Sequence, residues 1–412
     1  MIINKLKKKS SLFWKRYMHN FIYHNFSCRP KGVHLTIKDY LQKNTESGKL
    51  YYEVYPETIS ELDIPDSLLK VSSKYLTYYP TITESAKYIL KIKNGRILAD
   101  YFYTTAIFDA DDKIIGDVSL DLHLKNGQTL KDSTIFKRKY YPKIDYYKGT
   151  VFHTIAGGGS YVNYFHWLID SISKIHILKK SGLFNEVDWF YVPTTEYDYH
   201  IDSLRALGIT EHQIIDGRIH PHIKADVLLA PSYSRGKHRH IPQWIVDFFA
   251  CDFTPRKEPK YKTRKFFISR KDANTRRIVN EDEVSSFLAQ YNVETVILSR
   301  LTFQEKIDLF ANAQLIISLG TAGFTNILFC KGQTTVLELS GDQFVDFRFY
   351  YDIAMKKKLD YHYLIGKNIN KSDDISSGMY NDVKIEIGPL KQMMEDELNL
   401  VPITLQEEYI TN

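Results

Sequence analysis

Gln314-Leu-Ile-Ile-Ser-Leu-Gly-Thr-Ala-Gly-Phe-Thr-Asn326, continued by Ile327-Leu-Phe-Cys-Lys-Gly332, is the stretch whose reading decides the fold. Leu315 to Leu319 are largely apolar and β-favouring, they stop at Gly320-Thr-Ala-Gly323, and Phe324, Ile327 and Leu328 then recur at helical spacing. The pattern predicts a buried strand turning tightly into a helix, the basic joint of a parallel α/β sheet. Such a turn leaves backbone N–H groups at the positive end of a helix, and glycines let a phosphate approach the main chain. Taken alone, the same four residues also fit an ordinary strand-to-helix turn.

The alternation extends to both sides of this joint. Strands are predicted at 265–269, 294–298, 315–319 and 334–339, with helices at 281–290, 302–312 and 322–329. Residues 252–264 are polar, carry two prolines and show no periodicity, so they read as an interdomain linker. Before them lie a helix near 161–180, a strand at 187–193, a helix at 199–208, a strand at 226–230 and a helix at 241–250. Two α/β domains joined by a linker suggest a cleft, and ligands of open parallel sheets bind outside the C-terminal ends of the strands. Gly320–Gly323 lies at such an end. From 49 to 148 the chain is rich in Tyr, Thr and Ile, with alternating runs at 87–93, 96–103 and 113–120. Separated by Asn94-Gly95 and Asp109–Asp112, these read as β-hairpins of an antiparallel section. The expected division is a basic amphipathic segment at 1–48, a first domain at 49–255 (β-rich over 49–148, α/β over 150–255) and a second at 256–412.

With 412 residues, 43% of them hydrophobic and 14% aromatic, the chain can bury sizeable cores and is not a disordered protein. It has no apolar run long enough to span a membrane and nothing resembling a signal peptide. Cys28, Cys251 and Cys330 are far apart in sequence, which fits a reducing, cytoplasmic setting better than a disulfide framework or a zinc site. Of the 55 Lys and Arg, nine fall in residues 1–38, which hold no acid, leaving 46 against 49 acidic residues in the remainder. A near-neutral body argues against nucleic acid as a partner. The basic segment interleaves Leu6, Phe13, Trp14, Tyr17, Phe21 and Ile22 with its lysines. That pattern fits a helix lying on an anionic membrane surface, peripheral to the inner face of the plasma membrane, and equally a helix packed on the body through its aromatic face.

Two constellations carry candidate chemistry. The first is Gly157-Gly-Gly-Ser-Tyr-Val-Asn-Tyr-Phe-His-Trp-Leu-Ile-Asp170, in which Gly158 and Gly159 feed a helix that Ser160 could cap. On that helix Asn163, His166 and Asp170 fall on one face. A carboxylate one turn from an imidazole can orient it and raise its basicity, which suits removal of a hydroxyl proton; a buried polar pair with a structural role is the other reading. The second is Phe266-Phe-Ile-Ser-Arg-Lys-Asp-Ala-Asn-Thr-Arg-Arg-Ile-Val-Asn-Glu281. Arg270, Arg276 and Arg277 gather where a strand should end, and arginines so placed can hold a diphosphate through bidentate bonds. A solvated basic loop is the plainer reading.

These segments, taken in order with Leu301-Thr-Phe-Gln-Glu-Lys-Ile-Asp-Leu-Phe310, Thr321-Ala-Gly-Phe-Thr-Asn326 and Thr335-Val-Leu-Glu-Leu339, resemble the motif series of glycosyltransferase family 61 over roughly residues 150–400. The resemblance implies a GT-B-like fold, two Rossmann-like domains facing a cleft, and inverting transfer from a nucleoside-diphosphate sugar, UDP first among them, to a glycan or lipid-linked acceptor. It further implies a role in surface polysaccharide synthesis, with no metal or other cofactor required. Carried over by position, it makes His166 and Asp170 catalytic, puts Gly158, Gly159 and Asn163 on the acceptor side, and assigns the donor to Arg270, Arg277, Asn280, Glu281, Gly320, Thr321, Ala322, Gly323, Thr325, Asn326 and Glu338. Glu338 also fits a helix cap or an ion pair. One departure stands out: Gly320 occupies the place of the family's histidine. A non-catalytic sugar-nucleotide or glycan-binding subunit is therefore an alternative. A metal-dependent transferase using Asp109 and Asp111 is a second, although Asp109-Ala-Asp111 also fits an Asp-rich turn. Arg235-Gly-Lys-His-Arg-His240 reads as a solvated basic loop before the next helix, or, if it lies at the cleft, as a contact for an anionic acceptor.

Overall fold

A computed structural model describes residues 28–403 apart from 46–47, 62, 73–78, 80, 101–102, 139–140, 158, 237–239, 258–259 and 371–374. The expected amphipathic helix of the basic segment lies outside these residues, and so does Gly158. The fold is mixed α/β. By internal contacts the chain divides into two units, Met1–Thr58 with Thr83–Gly236, and Ile59–Ile82 with Lys237–Asn412.

The first unit is built on an eleven-stranded mixed sheet. Its parallel part contains Asp145–His153, Trp189–Val192, Ile214–Asp216 and His222–Pro231, with His222–Pro231 beside Asp145–His153 and the other two on the far side of the latter. Val151, Phe152, Phe190, Tyr191, Leu228 and Leu229 are buried in these strands, the near-continuous apolar composition of a sheet covered on both faces. After Asp145–His153 the chain moves outward for two strands and then returns to the opposite side. The sheet direction therefore switches between Asp145–His153 and His222–Pro231.

Asn94-Gly95 is not a hairpin turn, which corrects the sequence expectation. Lys87–Lys93 and Arg96–Ala99 do not pair with each other; both run antiparallel to His222–Pro231, one after the other along its length. Asn94 takes a left-handed φ of 51° and donates its N–H to the Asp226 carbonyl at 2.7 Å. Gly95 has no room for a side chain, since a Cβ would lie 2.6 Å from that of Leu228. The dipeptide thus kinks one long strand where it presses on its neighbour. The run read at 96–103 ends as a strand at Ala99, Thr104–Phe108 pairs antiparallel with Arg96–Ala99, and the expected Asp109–Asp112 turn joins Thr104–Phe108 to its antiparallel neighbour Lys113–Ile115. The β-rich and α/β segments thereby share one sheet.

The second unit carries a six-stranded sheet in the order Glu294–Val296, Arg264–Ile268, Ala313–Leu319, Thr335–Gly341, Asp360–Asn368, Val383–Lys384, parallel except for the last strand. In chain order its five parallel strands are arranged 2-1-3-4-5, a doubly wound order whose direction reverses between the first and third strands. Ile316, Ile317 and Leu319 are fully buried, as the opening stretch predicts for a central strand. Phe303–Ala311 starts at a capping box between Thr302 and Glu305. The segment Ala322–Phe329 is helical as expected but wound as a 3-10 helix. Residues 59–82 join this unit, where Leu68 packs with Val345, Phe347 and Tyr351.

Candidate active site

In the first unit the residues of interest lie where the sheet direction switches. Asp145–His153 runs into the glycine turn, His222–Pro231 runs toward Ser234 and Arg235, and Gly157 takes a left-handed φ of 95°. The following helix starts as Gly159–Val162, breaks at Asn163 and restarts as Tyr164–His166. It continues through a wide π-helical turn, Trp167–Ile172, into Lys174–Lys180. Asn163 causes the break, because its side-chain oxygen accepts the N–H groups of Phe165 (2.9 Å) and His166 (3.4 Å) and caps the new helix. Ser160 instead donates to the Gly157 carbonyl at 2.7 Å. The expected single helix capped by Ser160 is corrected accordingly, and Asn163 is a cap rather than a third member of a polar face.

His166 and Asp170 do meet, with Nδ1 2.6 Å from Oδ2. Arg235 grips the same carboxylate through Nε to Oδ1 at 2.6 Å and a terminal nitrogen to Oδ2 at 2.7 Å. Burial works against ionisation of Asp170, but Arg235 and the His166 bond outweigh it and hold the carboxyl well below the usual range. In the neutral His166 ring an ionised Asp170 holds the proton on Nδ1, which puts the lone pair on Nε2, and the ring is 39% exposed. Gly159 lies flat against that ring: a Cβ there would be 2.5 Å from Cδ2 and 3.0 Å from Nε2. Beneath the pair, Lys174 donates to the Ile155 carbonyl at 2.6 Å, and burial pushes its ammonium down to about 7.

The second unit brings its own candidates to the reversal between Arg264–Ile268 and Ala313–Leu319. Glu281 is buried and spent on the loop, accepting the Ser269 hydroxyl and the Arg270 N–H (2.8 Å). Arg270 donates to the carbonyls of Arg276 (3.2 Å) and Thr275 (2.9 Å). Asn280 bonds Glu283 and both backbone groups of Ile385. Arg277 pairs with Asp382 at 2.8 Å and is 56% exposed. Across the reversal, Gly320 donates its N–H to Leu339 at 2.9 Å, and Asn326 holds the turn by donating to the Gly323 carbonyl at 2.7 Å. The N–H groups of Thr321, Ala322 and Gly323 find no acceptor among the described residues, as expected at a helix start. Thr325 is fully buried beside the Tyr350 hydroxyl, which donates to the Thr321 carbonyl at 2.6 Å. Glu338 is buried in the neighbouring strand and accepts the Tyr361 hydroxyl at 2.7 Å. Burial pushes its carboxyl up to about 8, against the pull of Tyr361 and Arg276.

Residues 164–337 match the family Glycosyltransferase 61. The match contains His166 and Asp170 in one unit and the Arg270 loop and Gly320–Asn326 turn in the other; Gly159, Asn163 and Glu338 fall just outside it. The EGF domain-specific O-linked N-acetylglucosamine transferase of Drosophila melanogaster is 30% identical over 110 residues, which is 26% of this chain and 21% of that relative.

Two residues within the matched segment carry more than sequence reasoning assigned them. Arg235 is not the solvated arginine expected: it is 10% exposed and clamps Asp170. Its signal was position, one turn past the strand adjacent to Asp145–His153, which shows only once strand order is known. Arg276, rather than Arg277, is the arginine turned toward Glu338, Tyr350 and Asp346. Asp109 is committed elsewhere, to His34 at 2.8 Å and to the N–H groups of Asp111 and Lys113 at 2.9 Å each. Asp111 is 78% exposed on the turn it helps form. Among the described residues no cluster of three His, Cys, Asp or Glu is placed to hold a metal, and no helix is long and apolar enough to cross a membrane.

Proposed function

We propose that this protein is an inverting glycosyltransferase that moves a sugar from a nucleoside-diphosphate donor to a hydroxyl of a glycan or lipid-linked acceptor. The observation that carries this is His166, bound at Nδ1 by an ionised Asp170 and open at Nε2, within a segment that matches a glycosyltransferase family. In this reading Nε2 takes the hydroxyl proton as the acceptor oxygen attacks the anomeric carbon from the face opposite the leaving group. The bond from that carbon to the diphosphate breaks with its electron pair passing to the phosphate oxygen. The N–H groups of Thr321, Ala322 and Gly323, together with arginine from the facing loop, stabilise the departing charge, so no metal ion is required. Arg270, Asn280, Glu281, Thr325 and Asn326 hold those loops in shape.

The finer parts of the proposal are a GT-B arrangement with the donor on the second unit, UDP as the nucleotide, and surface polysaccharide as the product. The basic residues of 1–38 support docking on the inner face of the plasma membrane, where lipid-linked acceptors would be met. The name of the Drosophila relative makes a donor carrying N-acetylglucosamine the first to test. The experiment is incubation with a panel of nucleotide sugars and saccharide acceptors, followed by mass spectrometry. A product heavier by one sugar, formed in EDTA with release of nucleoside diphosphate, is expected. Binding of a nucleotide sugar with no turnover on any acceptor would favour the non-catalytic binding subunit.

A further inference from the structure

Arg276 occupies a left-handed backbone position, φ 57°, anchored by its N–H on the Tyr380 carbonyl at 3.1 Å. The other two arginines of its loop are engaged, Arg270 on loop carbonyls and Arg277 on Asp382. The guanidinium of Arg276 makes no hydrogen bond or ion pair among the described residues. It faces Tyr350, Glu338, Asp346 and Tyr380, and burial lowers its proton affinity. Asp346 is itself held by Arg348, at 2.9 and 2.8 Å. A part-buried guanidinium without a partner is unfavourable unless an anion completes it.

What surrounds Arg276 suits such an anion. Glu338 places Oε1 directly above Gly320, while only Oε2 is bonded, to Tyr361. The Thr321 hydroxyl is buried with no partner, next to the open N–H groups of the turn. These groups lie at the reversal of the parallel sheet, the place where open α/β sheets take ligands.

We propose that Arg276 is the guanidinium that grips the donor's diphosphate and that Glu338 is its counter-group, which has to carry a proton for the grip to be strong. This rests on the reading that the second unit holds a nucleoside diphosphate. Glu338 is faced by Tyr361 from Asp360–Asn368, by Arg276 from the loop after Arg264–Ile268, by Tyr350 from the helix Arg348–Lys356 and by Asp346 just before it. With its carboxyl pushed up to about 8, Glu338 is neutral at neutral pH and Arg276 keeps its full charge for the ligand. As the carboxyl ionises it neutralises Arg276 and repels the diphosphate. Donor affinity therefore falls as pH rises past this point.

The test is titration calorimetry of the full chain with UDP, GDP, dTDP and inorganic pyrophosphate. Arg276→Gly suits the left-handed backbone, so fold and charge are separated, and Arg276→Lys keeps the charge. Arg276→Gly is expected to weaken pyrophosphate and nucleotide alike by about tenfold or more, the scale of a charge-assisted contact. Arg276→Lys should recover part of this, and Arg264→Ala, which removes an exposed pair with Glu294, should stay within about threefold. Between about pH 7 and about pH 9, where the terminal phosphate of a nucleoside diphosphate is already ionised, wild type should lose affinity for the three nucleotides and Glu338→Gln should not. Wild-type affinity in Arg276→Gly overturns the assignment of Arg276 while leaving the donor reading intact. An unchanged pH dependence in Glu338→Gln overturns the role of Glu338. A wild-type protein that binds none of the four ligands overturns both the inference and the reading beneath it.

Discussion

The carboxyl of Glu338 fills the space above the α-carbon of Gly320, so that a methyl group on residue 320 would lie 2.0 Å from Oε1 and 3.0 Å from Cδ. Glycine at this position is thus matched to Glu338, and the histidine expected from the family resemblance has no room there. Gly320 has no left-handed backbone requirement, so the penalty for a side chain is purely steric. Gly320→Ala should destabilise the protein by about 1–3 kcal/mol, the range for overpacking a close-packed site. Urea denaturation would show it, and the double variant with Glu338→Ala should recover most of the loss, since the two positions are in contact. An unaltered Gly320→Ala would mean that Glu338 is free to move aside.

Gly159 stands in the same relation to His166. A Cβ would come within 2.5 Å of the imidazole, so the ring has to shift while its Nδ1 is held by Asp170. Gly159→Ala should therefore lower transfer by about tenfold or more while the melting temperature changes little, because a small misplacement of a base costs rate rather than fold. Equal loss of stability and rate would point to a structural role for the contact.

Arg235→Ala removes the cation that grips both oxygens of a nearly buried carboxylate, Asp170 being 14% exposed, and leaves it only the His166 bond. Breaking such a pair should cost about 3 kcal/mol or more at neutral pH. The sign of the pH effect follows from the lowered Asp170 carboxyl: wild type has this stabilisation above the ordinary carboxylate range and loses it as pH falls through the lower folded value. The difference between variant and wild type should therefore shrink in acid, which denaturation curves at several pH values would reveal.

Glu338 has the opposite sign. Its folded value is raised to about 8, so its contribution is fully present below the unfolded carboxyl value and is lost as pH rises toward the folded one. Glu338→Gln, which cannot ionise, should melt above wild type at mildly alkaline pH and show little difference in acid. Parallel melting curves across that range would contradict the buried, neutral carboxyl.

In the second unit Arg264–Ile268, Ala313–Leu319 and Thr335–Gly341 are legible in sequence because each is a short apolar run followed by a helical repeat, and both signals are local. Asp360–Asn368 and Val383–Lys384, polar and only partly buried, carry no such run and are not expected from sequence. The helix break at Asn163 was less so: the same residue type serves on a helix face and at a cap, and only backbone geometry distinguishes them. Asn94-Gly95 misleads for a different reason. Turn chemistry reports a local kink, whereas whether the flanking strands pair depends on His222–Pro231, more than a hundred residues later. Arg276 and Arg277 differ in direction through the sign of a backbone angle, and two adjacent arginines carry no sequence mark of it. Arg235 became part of the site through strand order, a property of the whole sheet.

The central claim is that His166 removes the acceptor proton. It is tested most directly by comparing wild type and His166→Ala, each with its best nucleotide sugar and acceptor, for transfer rate and for donor affinity. The expected result is a fall of about a hundredfold or more in transfer, the scale of general base catalysis, with donor affinity and melting temperature unchanged. Transfer within a few-fold of wild type in the folded variant would contradict it.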